Sequence, residues 1–299
     1  MEIRYGQEVS DALDRGKPLV ALESTVIAHG LPFPQNVEMA FDLESIVRKN
    51  GATPATIAVF DGEFCVGLSK TQIKKLAADK NIRKISKRDL PIAAALKLDC
   101  ATTVATTMFI AQNAGIRVFS TGGIGGVHRG DRLDISADLN ELANTPMITV
   151  CSGAKIVLDL PATREWLETN GVTILGYKSD EFPAFYSSKS GLYVDERVES
   201  IEQVVEISRA RDDLGLKNAI LLVVPIPHEF EIEIGILEDI LSTTLEMASQ
   251  QEIAGKHLTP FLLSKMSEIS KGVTMDANIA LLKNNAEIAA KAAVHLKKY

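Results

Sequence analysis

A lysine, a glutamate and two aspartates stand where this sequence could support chemistry on a small molecule. Lys155 follows an apolar run typical of a strand and enters a helical pattern that predicts a helix over Ala154 to Asn170. A lysine in the first turn of a helix opposes the helix dipole, and this lowers the pKa of its amine. Such an amine is suited to forming a Schiff base. A surface lysine with an extended stem is the alternative interpretation.

Glu23 ends an apolar stretch that is predicted as a strand over Pro18 to Thr25. Partial burial at the end of a strand would raise the pKa of this carboxyl group into the range of a general acid. His29, with two prolines close behind it, indicates a shaped loop after the strand. A strand-end carboxylate paired with a nearby basic group is the alternative.

A glycine segment, TGGIGGVHRG at residues 121–130, follows another predicted strand. Glycine allows positive φ and close approach, so we expect backbone N–H groups of this segment to converge on an anion, with His128 and Arg129 beside them. The spacing matches neither GxGxxG nor a P-loop. A tight turn without a ligand is the alternative.

Asp134 and Asp138 come directly after the glycine segment. Either could cap the helix that follows. Carboxylates beside an anion-binding loop are also where a hard divalent cation would bind, held by oxygen ligands and water. The basic cluster at Arg83 to Arg88 could attract phosphate, although such clusters are more often solvated surface.

Bulk composition narrows the class of protein. The net charge of −7, from 32 basic and 39 acidic residues in 299, argues against nucleic acid or an anionic membrane as the main partner. No apolar run reaches the ~20 residues of a membrane span, and the amino terminus lacks a signal-peptide core, so a cytoplasmic location is expected. Cys65, Cys100 and Cys151 are widely spaced and are interpreted as buried thiols.

Short β-rich runs alternate with longer helical patterns, which predicts an α/β fold with a parallel or mixed sheet and a single domain over residues 1–299. The predicted strands are Pro18 to Thr25, Ala55 to Val59, Arg117 to Ser120, Met147 to Cys151, Thr173 to Tyr177 and Ala219 to Val224. The predicted helices are Glu38 to Lys49, Thr102 to Ala114, Ala154 to Asn170, Ile201 to Leu214, Ile232 to Gln250, Thr259 to Ser270 and Asn278 to Lys297. Gly115, Gly171 and Gly215 are predicted caps. Ser187 to Gly191 is the predicted mobile loop.

These segments together resemble the pseudouridine-5′-phosphate glycosidase family, also called the indigoidine synthase A-like family. The resemblance covers nearly the whole chain, in order from about residue 20 to about residue 290. It rests on long stretches: ALESTVIAHGLPFPQN, ATIAVFDGEFCVGLS, ISKRDLP, ATTVATTMFIAQNAGIRVFSTGGIGGVHRG, DISADLNELANTP, VCSGAKIVLDL, EFPAFY, TPFLL and the Asn-Ile of DANIALLKNNA.

The resemblance implies a three-layer α/β/α protein that forms a homotrimer, uses a divalent metal (typically Mn²⁺) and cleaves pseudouridine 5′-phosphate reversibly to uracil and ribose 5-phosphate. By motif, Glu23 would be the proton donor, Lys155 the covalent nucleophile and Asp134 the metal ligand. The residues implied to contact substrate are Lys84, Val104, Ser136, Ala137, Asp138, His128 and Asn278.

The chain departs from the family pattern at three places. The loop between His128 and Asp134 is short, Val224 stands where relatives commonly carry asparagine, and His228 replaces an acidic residue. Two other functions use the same features: a Schiff-base lyase or aldolase acting on another sugar phosphate, and a non-catalytic sugar-phosphate sensor. Release of uracil distinguishes the first from the glycosidase, and the absence of turnover identifies the second.

Overall fold

The computed structural model describes residues 2–130, 133–253, 255 and 258–297. Its strands are β1 (Ile3–Tyr5), β2 (Leu19–Leu22), β3 (Thr53–Phe60), β4 (Glu63–Val66), β5 (Arg83–Ile85), β6 (Cys100–Thr102), β7 (Val118–Ser120), β8 (Val127–His128), β9 (Ile148–Cys151), β10 (Leu158–Asp159), β11 (Thr173–Tyr177), β12 (Glu196–Val198) and β13 (Ile220–Val223). Its helices are α1 (Gln7–Asp14), α2 (Gln35–Lys49), α3 (Lys70–Ala78), α4 (Leu90–Ala95), α5 (Val104–Asn113), α6 (Ala137–Asn144), α7 (Leu160–Thr169), α8 (Ile201–Asp213), α9 (Ile234–Gln250), α10 (Leu258–Ile269) and α11 (Val273–Lys297).

One mixed sheet contains most of these strands, in the order β1-β4-β3-β2-β7-β9-β13-β11-β12. Neighbours from β3 to β12 are parallel, whereas β4 and β6 run antiparallel to β3, and β5 pairs with β6. Strands β8 and β10 form a separate antiparallel pair. The parallel strands β2, β9 and β13 are buried along their whole length, as continuous apolar runs in a covered sheet should be.

Helices cover the sheet on both faces. Helix α11 packs across β2, β7 and β9 with α2 and α8 beside it, while α5 packs on β2 and β3 with α6 beside it. The predicted α/β fold with helical layers around a mixed sheet is therefore confirmed. The described residues contain no helix long and apolar enough to cross a membrane. All three cysteines are buried and free.

The six predicted strands correspond to β2, β3, β7, β9, β11 and β13, most within two residues at each end. Gly115, Gly171 and Gly215 follow α5, α7 and α8 with φ of +76°, +72° and +71°, so the predicted caps are confirmed. Two helix starts are wrong, because α7 begins at Leu160 and not at Ala154, and α11 begins at Val273 and not at Asn278. Asp159 caps α7 by accepting a 2.9 Å hydrogen bond from the backbone N–H of Ala162.

The loop predicted to be mobile, Ser187 to Gly191, is hydrogen-bonded to two carboxylates. Glu231 accepts hydrogen bonds from the Ser188 backbone N–H at 2.7 Å and from its hydroxyl at 2.5 Å. Glu181 accepts from the backbone N–H groups of Ser190 at 3.0 Å and Gly191 at 2.9 Å. A serine- and glycine-rich loop is flexible only where its backbone groups have no partners in the folded chain.

The direction of the strand connections reverses between β2 and β7. From β2 the chain continues to β3 on one side, whereas from β7 it continues to β9 on the other side. In open α/β sheets, ligands bind beyond the carboxyl ends of strands at such a switch point. The segments after β2, β7 and β9, which carry Glu23, the glycine segment and Lys155, therefore meet at one place.

Candidate active site

A cavity at this switch point is lined by four of the residues implied by the motifs: Glu23, Lys84, Lys155 and Asn278. It holds about 50 Å³ and adjoins a second cavity of about 310 Å³. His29 and Asn278 line both, as do Pro260 and Leu263 from α10. Pockets that enclose a whole small-molecule ligand commonly hold about 300–1,000 Å³. The inner cavity has room for a reacting group, and the outer cavity for the rest of a ligand.

Glu23 comes directly after β2 and is 7% exposed. Burial raises the pKa of its carboxyl group above the ordinary value, and the charge of Asp138 acts in the same direction. The charge of Lys155 and a hydrogen bond donated by the Thr121 hydroxyl to Oε1 oppose this rise in the pKa. The predicted environment of a general acid is thus present.

Buried hydroxyl groups hold the chain behind Glu23 against the end of β6. Ser24 Oγ accepts a hydrogen bond from the backbone N–H of Thr102 at 2.9 Å, and Thr25 Oγ1 donates to the Thr102 carbonyl at 2.8 Å. Thr107 Oγ1 donates to Thr102 Oγ1 at 2.9 Å. Since these groups are buried and paired, they give the carboxylate a rigid support.

A single π-helical turn, Val26–Gly30, carries His29 to the wall of both cavities. Asn36 in α2 stabilises this turn, because its side-chain amide donates to the carbonyls of Ile27 at 2.8 Å and Ala77 at 3.0 Å. Isolated π-helical turns occur frequently at functional sites.

Lys155 opens a turn between β9 and β10, five residues before α7 begins. Its backbone N–H donates to the carbonyl of Ile124 at 3.1 Å, and its carbonyl accepts from Leu158 at 3.0 Å. The helix-dipole argument for an activated amine therefore does not apply. What the fold supplies is proximity, since Lys155 and Glu23 line the same cavity and interact electrostatically.

Gly153 explains why the chain does not enter a helix directly after β9. Its φ is +82°, and a Cβ atom there would lie 2.1 Å from the carbonyl oxygen of Pro183. The chain instead turns along the glycine segment, where Ala154 bridges to Ile124, and along residues 182–187, where Gly153 bridges to Ala184. Glycine is required here both for its backbone angle and for this close approach.

Close packing, and not unusual backbone angles, accounts for most glycines at residues 121–130. Only Gly130 has positive φ, whereas a Cβ atom on Gly125 would lie 2.2 Å from Ser136 Oγ, and one on Gly126 2.3 Å from Thr163 Oγ1. The backbone N–H of Gly125 donates to Asp138, and that of Val127 donates to Thr163. The predicted convergence of these N–H groups on an anion is therefore wrong for at least these two.

Asp138 joins the glycine segment to α5. Its Oδ1 accepts from the backbone N–H of Ala105 and its Oδ2 from that of Gly125, both at 2.9 Å. Ser136 is the N-cap of α6, so neither Asp134 nor Asp138 caps this helix. A buried carboxylate bound to two backbone donors stabilises the position of both segments.

Asp134 and His128 lie side by side at the rim of the glycine segment. The distance between His128 Nδ1 and Asp134 Oδ2 is 3.9 Å, and the Asp134 side chain is 46% exposed. Within the described ranges, no group of three or more His, Cys, Asp or Glu could hold a metal ion. One exposed carboxylate fits a hard cation that keeps most of its water, as Mg²⁺ commonly does, whereas an imidazole suits softer metal ions.

The other residues implied by the motifs lie outside the cavity lining. Val104 is buried at the first position of α5, Ser136 is half-buried, and Ala137 is exposed at the start of α6. Asp138 and Ser136 contact the glycine segment, to which His128 itself belongs. The structure thus brings Glu23, Lys155, Lys84 and Asn278 together in one cavity, and the remaining residues lie outside its lining.

Comparison with known proteins shows the family of this chain. The family model described as indigoidine synthase A like protein matches residues 8–295. The chain belongs to this family. Among its relatives, the pseudouridine-5′-phosphate glycosidase of Caldanaerobacter subterraneus is 50% identical, with 99% of this chain and 97% of that protein covered. The enzyme of the same name from Staphylococcus aureus is 47% identical, with 99% and 97% covered.

Two solved structures share the fold. An indigoidine synthase A-like protein from Thermotoga maritima has a TM-score of 0.91 and 37% identity, covering 99% of this chain and 96% of that one. The prealnumycin C-glycosynthase AlnA, solved in complex with ribulose 5-phosphate, has a TM-score of 0.91 and 36% identity, covering 99% and 97%.

Several residues of the site carried no clear signal in the sequence. Thr121 opens the glycine segment, but its hydrogen bond to Glu23 joins residues 98 positions apart. Phe185 and Leu263 line the cavity from distant segments. Only His29, in the loop after the first predicted strand, stood out by its type. Contacts between distant segments depend on the packing of the sheet and its helices, which local patterns do not specify.

Proposed function

We propose that this protein cleaves the C–C glycosidic bond of pseudouridine 5′-phosphate reversibly, giving uracil and ribose 5-phosphate. The observation that carries the proposal is the placement of Glu23, buried with a raised pKa, in one cavity with Lys155 at the switch point of the sheet. Full-length relatives named pseudouridine-5′-phosphate glycosidase support it. The likeness to a C-glycosynthase that binds ribulose 5-phosphate supports a C–C bond as the one acted on.

The substrate joins C1′ of ribose to C5 of uracil, so the leaving group has no oxygen or nitrogen at that bond to protonate. In the proposed first step, Glu23 donates a proton to the ring oxygen as its bond to C1′ breaks. Uracil N1 loses its proton to solvent, and a double bond forms between C1′ and C5. An acid with a raised pKa retains its proton near neutral pH, which suits this step.

Lys155 then supplies the covalent step. Its nitrogen adds to C1′, and the electron pair of the C1′–C5 double bond returns to the uracil ring, where N1 regains a proton. After C5 is protonated, the C1′–C5 bond breaks, and the nitrogen lone pair forms a Schiff base with C1′. Uracil leaves, and water hydrolyses the Schiff base to ribose 5-phosphate and the free lysine.

A bound divalent ion, with Mn²⁺ as the expected one, would be held by Asp134 with water and His128 nearby. Such an ion supplies a Lewis acid and a fixed positive charge beside an anionic substrate. Lys84 and Asn278 contact the substrate in the inner cavity, and the segment from Ser136 to Asp138 positions the glycine segment. We further propose that the protein is a homotrimer located in the cytoplasm.

The test is turnover combined with trapping of the Schiff base. Uracil and ribose 5-phosphate, incubated with Mn²⁺, should give a carbon-linked nucleotide. Borohydride added with ribose 5-phosphate should add mass to the peptide that contains Lys155. Lys155→Arg should abolish both results, because a guanidinium group does not form the imine. Lys189→Arg, at an exposed lysine, is the matched control and should keep both.

Trapping on another lysine would show that Lys155 is not the nucleophile. A trapped sugar phosphate without release of uracil from pseudouridine 5′-phosphate would favour a lyase acting on another sugar phosphate. Binding of ribose 5-phosphate with neither trapping nor turnover would favour a sensor.

A further inference from the structure

Asn285 is a polar residue on the inner face of α11 with no exposed surface. It lies seven residues after Asn278, which is two helical turns, so both side chains point to the same face. Asn278 lines the cavity, whereas Asn285 lies in the core beneath the loops that form the cavity floor. A buried amide is unfavourable unless its donors and acceptor are paired, so its partners indicate what it does.

The partners of Asn285 belong to two loops of the site. Its Nδ2 donates to the carbonyl of Thr121 at 2.9 Å and lies 3.4 Å from that of Gly122, in the loop after β7. The same nitrogen lies 3.1 Å from Ser152 Oγ, and Ser152 Oγ lies 3.3 Å from Asn285 Oδ1. Ser152 belongs to the loop after β9. The side chain therefore joins the two loops at the point where the sheet ends.

Each of these loops leads to one of the two reactive groups. The Thr121 hydroxyl donates to Glu23, and Ser152 lies three residues before Lys155 in a segment held by Gly153. The regular pairing of the parallel strands β7 and β9 ends at Ser120 and Val150, and single backbone hydrogen bonds continue between the two loops as far as Ile124 and Lys155. Beyond them, backbone contacts such as that from Ser152 N–H to Gly122 are supplemented by one side chain, Asn285.

We infer that Asn285 is a positioning residue, which fixes the loop of the acid and the loop of the nucleophile relative to each other. The inference rests on the proposed function. Asn285 touches neither reacting group, so it acts through Thr121 and Ser152. A displacement of about 1 Å between reacting groups can lower a rate by about 100-fold.

Asn285→Asp tests the inference with almost no change in size. A carboxylate cannot donate to the carbonyls of Thr121 and Gly122, so the two loops lose this side-chain link and keep only their backbone hydrogen bonds. The kcat for uracil release should fall by about 10- to 100-fold, with KM changed much less. Asn284→Asp is the matched control, because its amide contacts Pro225 and neither loop, and it should keep the wild-type kcat.

The pH profile provides a readout that a general loss of stability does not move. The hydrogen bond from the Thr121 hydroxyl lowers the pKa of Glu23. A displacement of Thr121 in Asn285→Asp weakens this bond and should shift the alkaline limb of kcat to higher pH. Ser152→Ala, which removes one hydroxyl group, decides the question if Asn285→Asp does not fold. Its kcat should fall by about tenfold.

The outcomes separate this inference from the proposed function. An inactive wild-type enzyme would overturn the proposed function and, with it, this role of Asn285. An active wild-type enzyme whose folded Asn285→Asp variant keeps both kcat and the alkaline limb would overturn the positioning role alone. If Asn285→Asp does not fold, an unchanged kcat in Ser152→Ala would overturn the positioning role alone.

Discussion

At the scale of single residues, the site depends on one carboxyl group that the fold keeps from water. Glu23 is buried, and its pKa is raised because burial disfavours the charged form more than Lys155 and Thr121 favour it. An ordinary glutamate is ionised at neutral pH and has no proton to donate. The raised pKa is therefore the property that makes Glu23 suitable as an acid.

The pH dependence of kcat tests this role. A protonated acid is required, so kcat should fall as the pH rises through the raised pKa of Glu23. In Glu23→Gln, the amide keeps the shape but has no acidic proton, so the rate should fall by about 100-fold or more and the alkaline limb should vanish. A variant that keeps the wild-type rate and limb would make Glu23 a structural residue.

The expected metal ion is tested at Asp134. Replacing its carboxylate by an amide removes a hard, charged ligand, so Asp134→Asn should weaken Mn²⁺ binding by about tenfold or more, which is about 1.4 kcal/mol for each tenfold. Isothermal titration with Mn²⁺ measures this directly, without turnover. Asp14→Asn, at the exposed end of α1, is the control. Equal affinities in wild type and Asp134→Asn would exclude Asp134 as a ligand.

At the scale of elements, the segments that carry the site are held by buried polar groups where the strands end. The loop at Ser187 to Gly191 is an example, since Glu181 and Glu231 each accept hydrogen bonds from it. The bonds from Gly191 and Ser190 hold the pKa of Glu181 below its ordinary value. For Glu231, burial would raise the pKa, but the bonds from Ser188 and Ser187 together outweigh it and lower the pKa.

Amide exchange at Ser188 tests whether this loop is held by charge. A carboxylate with a lowered pKa stabilises the fold above its unfolded pKa, and this stability is lost as the pH falls through the folded pKa. Glu231→Gln should therefore speed exchange at the Ser188 amide at pH 7, with a smaller effect in acid. Glu229→Gln, two residues away and exposed, should leave the rate unchanged. Equal rates in Glu231→Gln and wild type at pH 7 would contradict the prediction.

At the scale of the whole molecule, a large core covers both faces of the sheet and encloses all three cysteines. Burial raises the pKa of the Cys100 thiol to about 11 and of the Cys151 thiol to about 12, and it raises that of Cys65 as well. Thiolates are the reactive form, so buried thiols of raised pKa react slowly.

A thiol reagent therefore reports on the integrity of the core. At about pH 8, just below the ordinary pKa of a cysteine thiol, the native protein should react slowly with a disulfide reagent, and all three thiols should react at once in guanidinium chloride. The unfolded sample is the control for the count. Rapid reaction of any thiol in the native protein would show that the core opens near that cysteine.

Local patterns in the sequence are sufficient to predict the helices and strands with strong periodicity. The apolar runs of β9, β11 and β13 and the capped helices α5 and α8 are predicted correctly because burial and capping are local requirements. The sequence patterns do not predict the short strands β1, β5, β6 and β12. A segment of three residues shows too little periodicity, and pairing with a neighbouring strand decides whether it becomes a strand.

The sequence by itself determined the family, the sheet with its helical layers, and the types of the candidate reactive residues Glu23 and Lys155. Only the tertiary structure decided how they meet. Lys155 stands outside α7 because the positive φ of Gly153 and its contact with Pro183 redirect the chain. The links from Thr121 to Glu23 and from Asn285 to two loops join residues about 100 or more positions apart. Such contacts follow from packing across the switch point, which no local pattern encodes.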